Sequence, residues 1–383
     1  MSEVLQSDIC IVGGGLVGCS AALHLKRAGL SVVLVERDKV AAHASGVNFG
    51  GVRCHGRNAL ELPIALRSLE IWHNMAEQVG EDCEFMATGH LKVARTEAEM
   101  ASLEQWRSFG NQYGIEVELL SQKHLQTRFP WLANNIYGAS YCPVDGHANP
   151  RLAAPAFARQ ARAEGVTILE GHAALEIEDR FDGFEIKLSS GLLIQTSKLI
   201  NAAGAWGLKI AAQYGDDVPV HPVAPQMFVS EPLPYFIHPA LGMVSGGLYL
   251  RQIPRGNVIF GGGRGTVSSS GLYSWPSEKI FAQTVGLAAE VIPVLGNASI
   301  IRSWTGVEGN CEDGLPIVGA SRQRKHLYHA FGFSGHGFQM APGIGAVLSE
   351  LITTGSTVTD IAGLNPQRFA TTQKAVAAAE TEI

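Results

Sequence analysis

No two of the six cysteines form a CxxC pair: Cys10, Cys19, Cys54, Cys83, Cys142 and Cys311 stand singly along 383 residues. That spacing excludes a zinc site or a cysteine-ligated iron–sulfur cluster held within this chain, and leaves buried, reduced thiols as the expectation. Long apolar runs are missing too. None approaches the roughly twenty residues of a membrane span, and no leader-like segment precedes Asp8, so a soluble, cytoplasmic chain is expected. A basic excess is also lacking: 29 Lys and Arg face 35 Asp and Glu, a formal charge of −6. Nothing electrostatic therefore recommends nucleic acid or an anionic membrane as a partner. Repeats and low-complexity tracts are absent. With 46% hydrophobic and 17% charged residues the chain can build an ample core, in two domains or one large composite.

What is present starts with residues 8–36, DICIVGGGLVGCSAALHLKRAGLSVVLVE. An apolar run, a glycine cluster, an amphipathic segment and a second apolar run ending on Glu36 read as strand, turn, helix, strand and acid. Gly13 permits a sharp turn, Gly15 lets backbone N–H groups approach a pyrophosphate, and Gly18 lets the helix lie close to the sheet. The helix N-terminus offers unpaired N–H donors and partial positive charge to phosphates, and Glu36 is placed to accept from a ribose diol. Dinucleotide binding follows.

Residues 41–58 form a glycine-rich loop whose length and polar content favour backbone wrapped against a ligand. Residues 61–79 have helical periodicity. Residues 89–95 alternate as a strand, Thr96 and Glu99 form a capping box, residues 115–120 read as strand, and Ser121 caps a short helix. The α/β texture returns with a helix at 151–164, a strand at 166–169, and a hairpin of 184–188 with 192–196. Residues 247–252 alternate and return after a turn, so Tyr249 and Arg251 share one strand face. The glycine-rich stretch GFSGHGFQMAPGIG reads as a loop entering a helix at about Pro342. Two interleaved domains are expected, one from residues 1–85, 145–218 and 300–383, the other from 86–144 and 219–299.

Five stretches together, GGGLVG with Glu36, ASGVNFGG, NAAGAW, DGLPIVG and GFSGHGFQMAPGIG, resemble the D-amino-acid oxidase and glycine oxidase superfamily of FAD-dependent amine oxidoreductases. The resemblance spans the chain in the family's order. HAFGFSGHGFQMAPGIG and RSWTGVEG are similar, more narrowly, to catalytic β-subunits of heteromeric opine oxidases, D-hydroxyproline dehydrogenases and sarcosine oxidases. It implies an α/β fold: a Rossmann-type, glutathione-reductase-like FAD-binding domain with an interleaved α+β substrate domain on a mixed or antiparallel sheet. It also implies non-covalent FAD, since Cys311, the nearest counterpart of a flavin-linking cysteine, lies in a different local motif. As cofactor contacts it implies Gly13, Gly15, Leu16, Val17, Glu36 and Arg37 at the first turn, then Ser45, Asn48, Gly50 and Gly51 in the loop. Ala174, Ala203, Gly204 and Trp206 come from the middle of the chain, and Gly332, Ser334, Gly335, His336, Gly337, Phe338 and Gln339 from the late loop. In the family that late helix end faces the flavin pyrimidine ring and stabilises the charge gathered there on reduction.

The activity implied is hydride transfer from an amine-bearing carbon to flavin N5, followed by imine hydrolysis. Its clamp for a carboxylate wants arginine, whose planar fork matches two oxygens. Arg251 is the first candidate, then Arg302, Arg53 and Arg264, and Tyr249 is expected to line the pocket. Where glycine-oxidase relatives carry the clamp arginine, this chain has Glu308 in WTGVEGNCEDG. An acid cannot grip a carboxylate, so Glu308 either meets a cationic part of the substrate or pairs with a neighbouring arginine. An opine is the first expected substrate, with D-hydroxyproline, D-proline or sarcosine next, and a hydroxy acid as the rival class. The implied partners are an α-subunit carrying FAD or FMN and a small iron–sulfur subunit. His147 is either the counterpart of a histidine holding covalent FMN at a subunit junction or a turn histidine.

Overall fold

The computed structural model describes residues 4–369. The two opening apolar runs form the strands Val4–Val12 and Val32–Glu36, which pair in parallel across the helix Leu16–Arg27. The turn between strand and helix depends on two glycines. Gly13 takes φ +117°, and a Cβ on Gly18 would stand 2.0 Å from the Gly13 carbonyl oxygen.

These strands lie within an eight-stranded sheet ordered Ile317–Ala320, Leu327–Phe331, Leu193–Asn201, Val4–Val12, Val32–Glu36 and Thr167–Glu170, extended by Gly183–Leu188 and Ala174–Arg180. Leu193–Asn201 runs parallel to Val4–Val12 along one edge. Its other edge is divided, residues 193–196 pairing with Gly183–Leu188 and residues 199–201 with Leu327–Phe331. The helix Leu16–Arg27 packs against both Pro150–Ala163 and Gly337–Thr354, burying Leu23, Leu25, Phe157, Ile344 and Val347. Each such side chain contributes about 1.5–3 kcal/mol relative to exposure. Ser20 Oγ, donating to the Pro342 carbonyl at 3.1 Å, ties the first helix to the last.

A second eight-stranded sheet is ordered Ile300–Thr305, Pro225–Pro232, Asn257–Arg264, Tyr249–Gln252, Ala240–Met243, His90–Ala94, Gly138–Cys142 and Glu118–Ser121. Its pairings are antiparallel except between Ala240–Met243 and His90–Ala94, so the sheet is mixed. That parallel pair joins two stretches of sequence 150 residues apart. Leu248 and Leu250 enter a core shared with Val291 and Ile292, while Tyr249 leaves the opposite face.

Several boundaries differ from the sequence expectation. Ile300–Thr305, expected with the cofactor-binding part, pairs instead with Pro225–Pro232 in the second sheet. The last helix starts at Gly337 and carries Pro342 inside it. Residues 61–79 form two helices, Leu62–His73 and Met75–Val79, separated at Asn74. Within the loop of residues 41–58 lie a short helix, Ala44–Val47, and a strand, Gly51–Val52, which pairs with Gly146–His147.

Candidate active site

The carboxyl ends of Val4–Val12 and Val32–Glu36 open onto a cleft of about 490 Å³, built by stretches far apart in sequence. Gly13, Gly15, Val17, Glu36 and Arg37 line it from the first turn, and Ser45, Asn48 and Gly51 from the loop. Ala174, Ala203, Gly204 and Trp206 supply a third wall, with Gly332, Ser334, Gly335, Gly337 and Phe338 supplying the last. Backbone walls much of it: a Cβ on Gly13 would stand 2.3 Å from the Ala202 carbonyl oxygen. Glu36 is held in place, Oε2 accepting from Gly14 N–H at 2.7 Å and Oε1 from Asp38 N–H at 2.8 Å. Ser45 Oγ accepts from Leu16 N–H at 2.9 Å, fastening the loop to the start of the first helix. Two helix N-termini, at Leu16 and Gly337, therefore meet one cleft. Each offers partial positive charge to an anionic or electron-rich ligand. A glycine-walled trench with an anchored acid near one helix start and a second helix start at the late loop fits an elongated flavin dinucleotide.

Asn48, Phe49, Gly51, Glu308, Ser334 and Gly335 also line a second cavity, of about 450 Å³. The second sheet supplies Tyr249, whose ring centroid is 4.8 Å from that of Phe49. Burial, and Glu308 nearby, push the Tyr249 phenol well above its ordinary range, so it stays a neutral hydroxyl. Glu308 opens the strand Glu308–Cys311. Among the described residues its side chain has no hydrogen-bond or ion-pair partner, and Arg264 donates to Asn310 Oδ1 at 2.9 Å instead. Burial pushes the Glu308 carboxyl up to about 7, against a downward pull from Arg264. Arg53, Arg57 and Lys92 line the same cavity. His336 lines it too, with Nδ1 2.6 Å from Glu61 Oε1. Burial, with Arg57 alongside, drives His336 down to about 4, so the ring is neutral and Nδ1–H donates to the Glu61 carboxylate.

The family described as FAD dependent oxidoreductase (DAO) matches residues 8–351. The chain belongs to this family. Among curated relatives it is 28% identical to mitochondrial dimethylglycine dehydrogenase of Rattus norvegicus over 95% of this chain and 45% of that protein. The chain thus spans less than half the length of the first relatives it matches. It is also 27% identical to one of the subunits of an opine oxidase from Rhizobium meliloti, over 95% of this chain and 98% of that one. Among solved structures, L-proline dehydrogenase from P. horikoshii superposes with a TM-score of 0.88 at 27% identity, covering 97% of this chain and 99% of the other. FAD is the family's cofactor, and the glycine-walled cleft is where this DAO-family chain has residues to hold it. No helix among the described residues is long and apolar enough to cross a membrane.

Four of the residues expected at the cofactor do not line its cleft. The Leu16 side chain is buried in the core. Gly50 is bound into the backbone, its N–H donating to Asn48 Oδ1 at 2.8 Å. Gln339 is 1% exposed; its carbonyl accepts from Ser68 Oγ and Trp72 Nε1, and its Nε2 donates to Ala65. His336 faces the second cavity. Of the expected clamps, Arg251 shares a strand face with Tyr249 but is 3% exposed, donating from Nε to the Phe49 carbonyl, with Nη1 3.3 Å from His147 Nδ1. That hydrogen bonding turns it under the loop and out of both cavities. Arg302 is exposed on the edge strand, 5.9 Å from the Trp304 ring centroid, and also lines neither. Tyr249, Arg53, Arg264 and Glu308 do come together.

His147 is 1% exposed and held in the strand pair with Gly51, its Nε2 buried without a partner among the described residues. Attachment of FMN there would require that pair to open. All six cysteines are free and buried, and Cys311 lines neither cavity. His55, His90 and Asp145 bring ligand-type atoms within 4.8 Å, but Ser140 Oγ sits 2.8 Å from His55 Nε2 and Asp145 accepts the Cys54 and His55 N–H groups. Arg53 and Lys92 stand beside the trio, a poor setting for a cation.

Sequence reasoning missed Phe49, Arg57 and Lys92. Arg57 follows Arg53 by four residues in the loop expected to wrap a ligand. Lys92 is the one Lys, Arg, Asp or Glu in the largely buried strand His90–Ala94, a signal that a strand buried on both faces would make visible.

Proposed function

We propose that this chain oxidises the C–N bond of an N-substituted or D-configured amino acid, with an opine as first substrate, as the cytoplasmic catalytic subunit of a heteromeric dehydrogenase. The observation that carries this reading is the junction of the two cavities, where an unpaired Glu308 faces a wall bearing Arg53, Arg57 and Lys92. A zwitterionic or multiply charged amino compound matches that polarity: ammonium towards the acid, carboxylate towards the cations. Similarity to an opine oxidase subunit over nearly its whole length supports the substrate choice and the heteromeric setting. Electrons would then pass to an α-subunit and a small iron–sulfur subunit.

Bound FAD supplies the two-electron, hydride-accepting chemistry. Glu308 receives the ammonium and takes its proton, giving the neutral amine whose lone pair forms the C=N bond as hydride leaves carbon. Tyr249 and Phe49 cover the junction and exclude water from it. Hydrolysis of the product imine then yields a 2-oxo acid and an amine. The test is anaerobic bleaching of the flavin at its visible absorbance by octopine, nopaline, D-hydroxyproline, D-proline, sarcosine and 2-hydroxy acids. Reduction by hydroxy acids alone, or by nothing in the panel, rejects the proposal.

A further inference from the structure

Three basic side chains line one wall of the second cavity, and among the described residues Glu308 is the only carboxylate residue lining it. Lys92 Nζ and Arg53 Nη1 both abut Gly56, where a Cβ would stand 2.7 Å from the first and 3.6 Å from the second. Any side chain at that position would displace the ammonium. Arg53 uses Nη1 on the His55 carbonyl. Arg57, only 4% exposed, donates from Nε to the Arg53 carbonyl at 3.2 Å and from Nη2 to Gln339 Oε1 at 3.4 Å, while Nη1 is buried with no partner among the described residues. Lys92 has no hydrogen-bond or ion-pair partner among the described residues, and burial beside Arg53 and Arg57 pushes it down to about 8. Two nearby acids, Glu61 and Asp145, offset part of the Arg53 and Arg57 charge, but neither accepts a hydrogen bond from these cations: Glu61 Oε1 lies 2.6 Å from His336 Nδ1, and Asp145 accepts backbone N–H groups.

Buried polar groups in native proteins are hydrogen-bonded almost without exception, and a guanidinium nitrogen left without an acceptor costs free energy that a ligand can recover. One lining carboxylate cannot satisfy these cations, to which Arg264, beside Glu308, adds a fourth. A ligand that brings two carboxylates with its ammonium lowers the net positive charge that the cavity holds.

We propose that Arg57 and Lys92, with Arg53, form a subsite for a second carboxylate, so that this chain selects dicarboxylic secondary amines over monocarboxylic ones. This deepens the amine-oxidation reading and rests on it. The expected substrates are N-(carboxyalkyl) amino acids, in which both arms of the amine end in an acid.

The FAD-loaded chain is tested in two ways. Binding is read from perturbation of the flavin spectrum by inert acids, malonate and succinate against acetate and propionate. Turnover is read from anaerobic flavin reduction by iminodiacetate against N-ethylglycine, which replaces one carboxylate with a methyl group. The expected preference for the diacid is about 10- to 100-fold in each, the range for a hydrogen bond to a charged group. Arg57→Met should shrink the diacid-to-monoacid ratio about tenfold or more, and Lys92→Met, at a half-buried position less prone to disturb folding, should shrink it in the same direction. Equal binding of succinate and propionate overturns the subsite, as does equal reduction by iminodiacetate and N-ethylglycine. Tight succinate binding with no reduction by any amine keeps the subsite and rejects the amine chemistry, so the two failures are distinct.

Discussion

Replacing Glu308 with glutamine should move stability and activity in opposite directions. Burial pushes this carboxyl up to about 7 from an ordinary 4.5. A folded-state value above the unfolded one means that the native protein binds more protons between those limits. Stability attached to the group is therefore present at pH 4.5 and below, and lost as pH rises towards 7. The full interval corresponds to about 3 kcal/mol at 1.36 kcal/mol per unit, and water reaching the cavity reduces this to about 1–2 kcal/mol. Glutamine has the same shape and no charge, so Glu308→Gln in the FAD-loaded, substrate-free protein should raise Tm by about 2–4 °C at pH 8 and by little at pH 5. Catalysis should fall. Losing a charged hydrogen bond to the substrate ammonium, about 1.5–3 kcal/mol, lowers the ratio of the flavin reduction rate constant to Kd by about 10- to 150-fold. The wild-type ratio should rise as pH passes 7 and Glu308 ionises, and the variant should lack that limb. Calorimetry across pH and anaerobic stopped-flow reduction measure both effects. An unchanged Tm at pH 8 with an unchanged pH profile would refute an ionising, unpaired acid at the junction.

Three further outcomes follow from the same geometry. Gly18→Ala forces a Cβ to 2.0 Å from the Gly13 carbonyl oxygen, so the first helix must shift; purified protein should lose bound flavin and about 2 kcal/mol or more of stability, read by absorbance and denaturant titration. Glu36→Ala leaves the Gly14 and Asp38 N–H groups without their acceptor and should weaken FAD binding about 10- to 100-fold by equilibrium dialysis, while unliganded folding changes less. Thr96→Ala removes the N-cap that accepts from Glu99 N–H at 3.2 Å, remote from either cavity; it should cost about 1 kcal/mol with flavin reduction rates unchanged.

Local signals explain which parts of the fold are legible in the sequence. The opening strand, turn, helix, strand and acid are contiguous, so glycine spacing and periodicity carry all their information within 29 residues. Thr96 and Ser121 each cap the helix expected after them, because a cap is a contact of a residue with its own next turn. The paired strands Tyr249–Gln252 and Asn257–Arg264 are visible for the same reason. Pairing between distant strands leaves no such trace. Nothing near Ile300–Thr305 states that it lies beside Pro225–Pro232, and nothing near His90–Ala94 names Ala240–Met243 as its parallel neighbour. The start of the last helix is obscured for a local reason: Pro342 resembles a first-turn proline but sits in the second turn.

The site divides along the same line, with a consequence for its chemistry. Alternation sets Tyr249 and Arg251 on one strand face, and both are there. Only Tyr249 reaches the cavity, because the Phe49 carbonyl, from the loop of residues 41–58, accepts a hydrogen bond from Arg251. Strand period gives the direction of a side chain, whereas its destination depends on which distant backbone carbonyl needs a donor. Arginine at position 251 thus fixes the loop that carries Arg53 and Arg57, and that loop brings its own cations to the cavity. An acid at position 308 and a cationic wall from residues 53–57 are then complementary features: the negative group sits on the strand Glu308–Cys311, and the positive groups on the facing loop and Lys92. Reversing only one of them, as in Glu308→Arg, would put a further cation in a cavity that already pushes Lys92 down to about 8. Such a variant should bind free carboxylates more tightly while losing amine oxidation, as the ammonium then has no acid to meet.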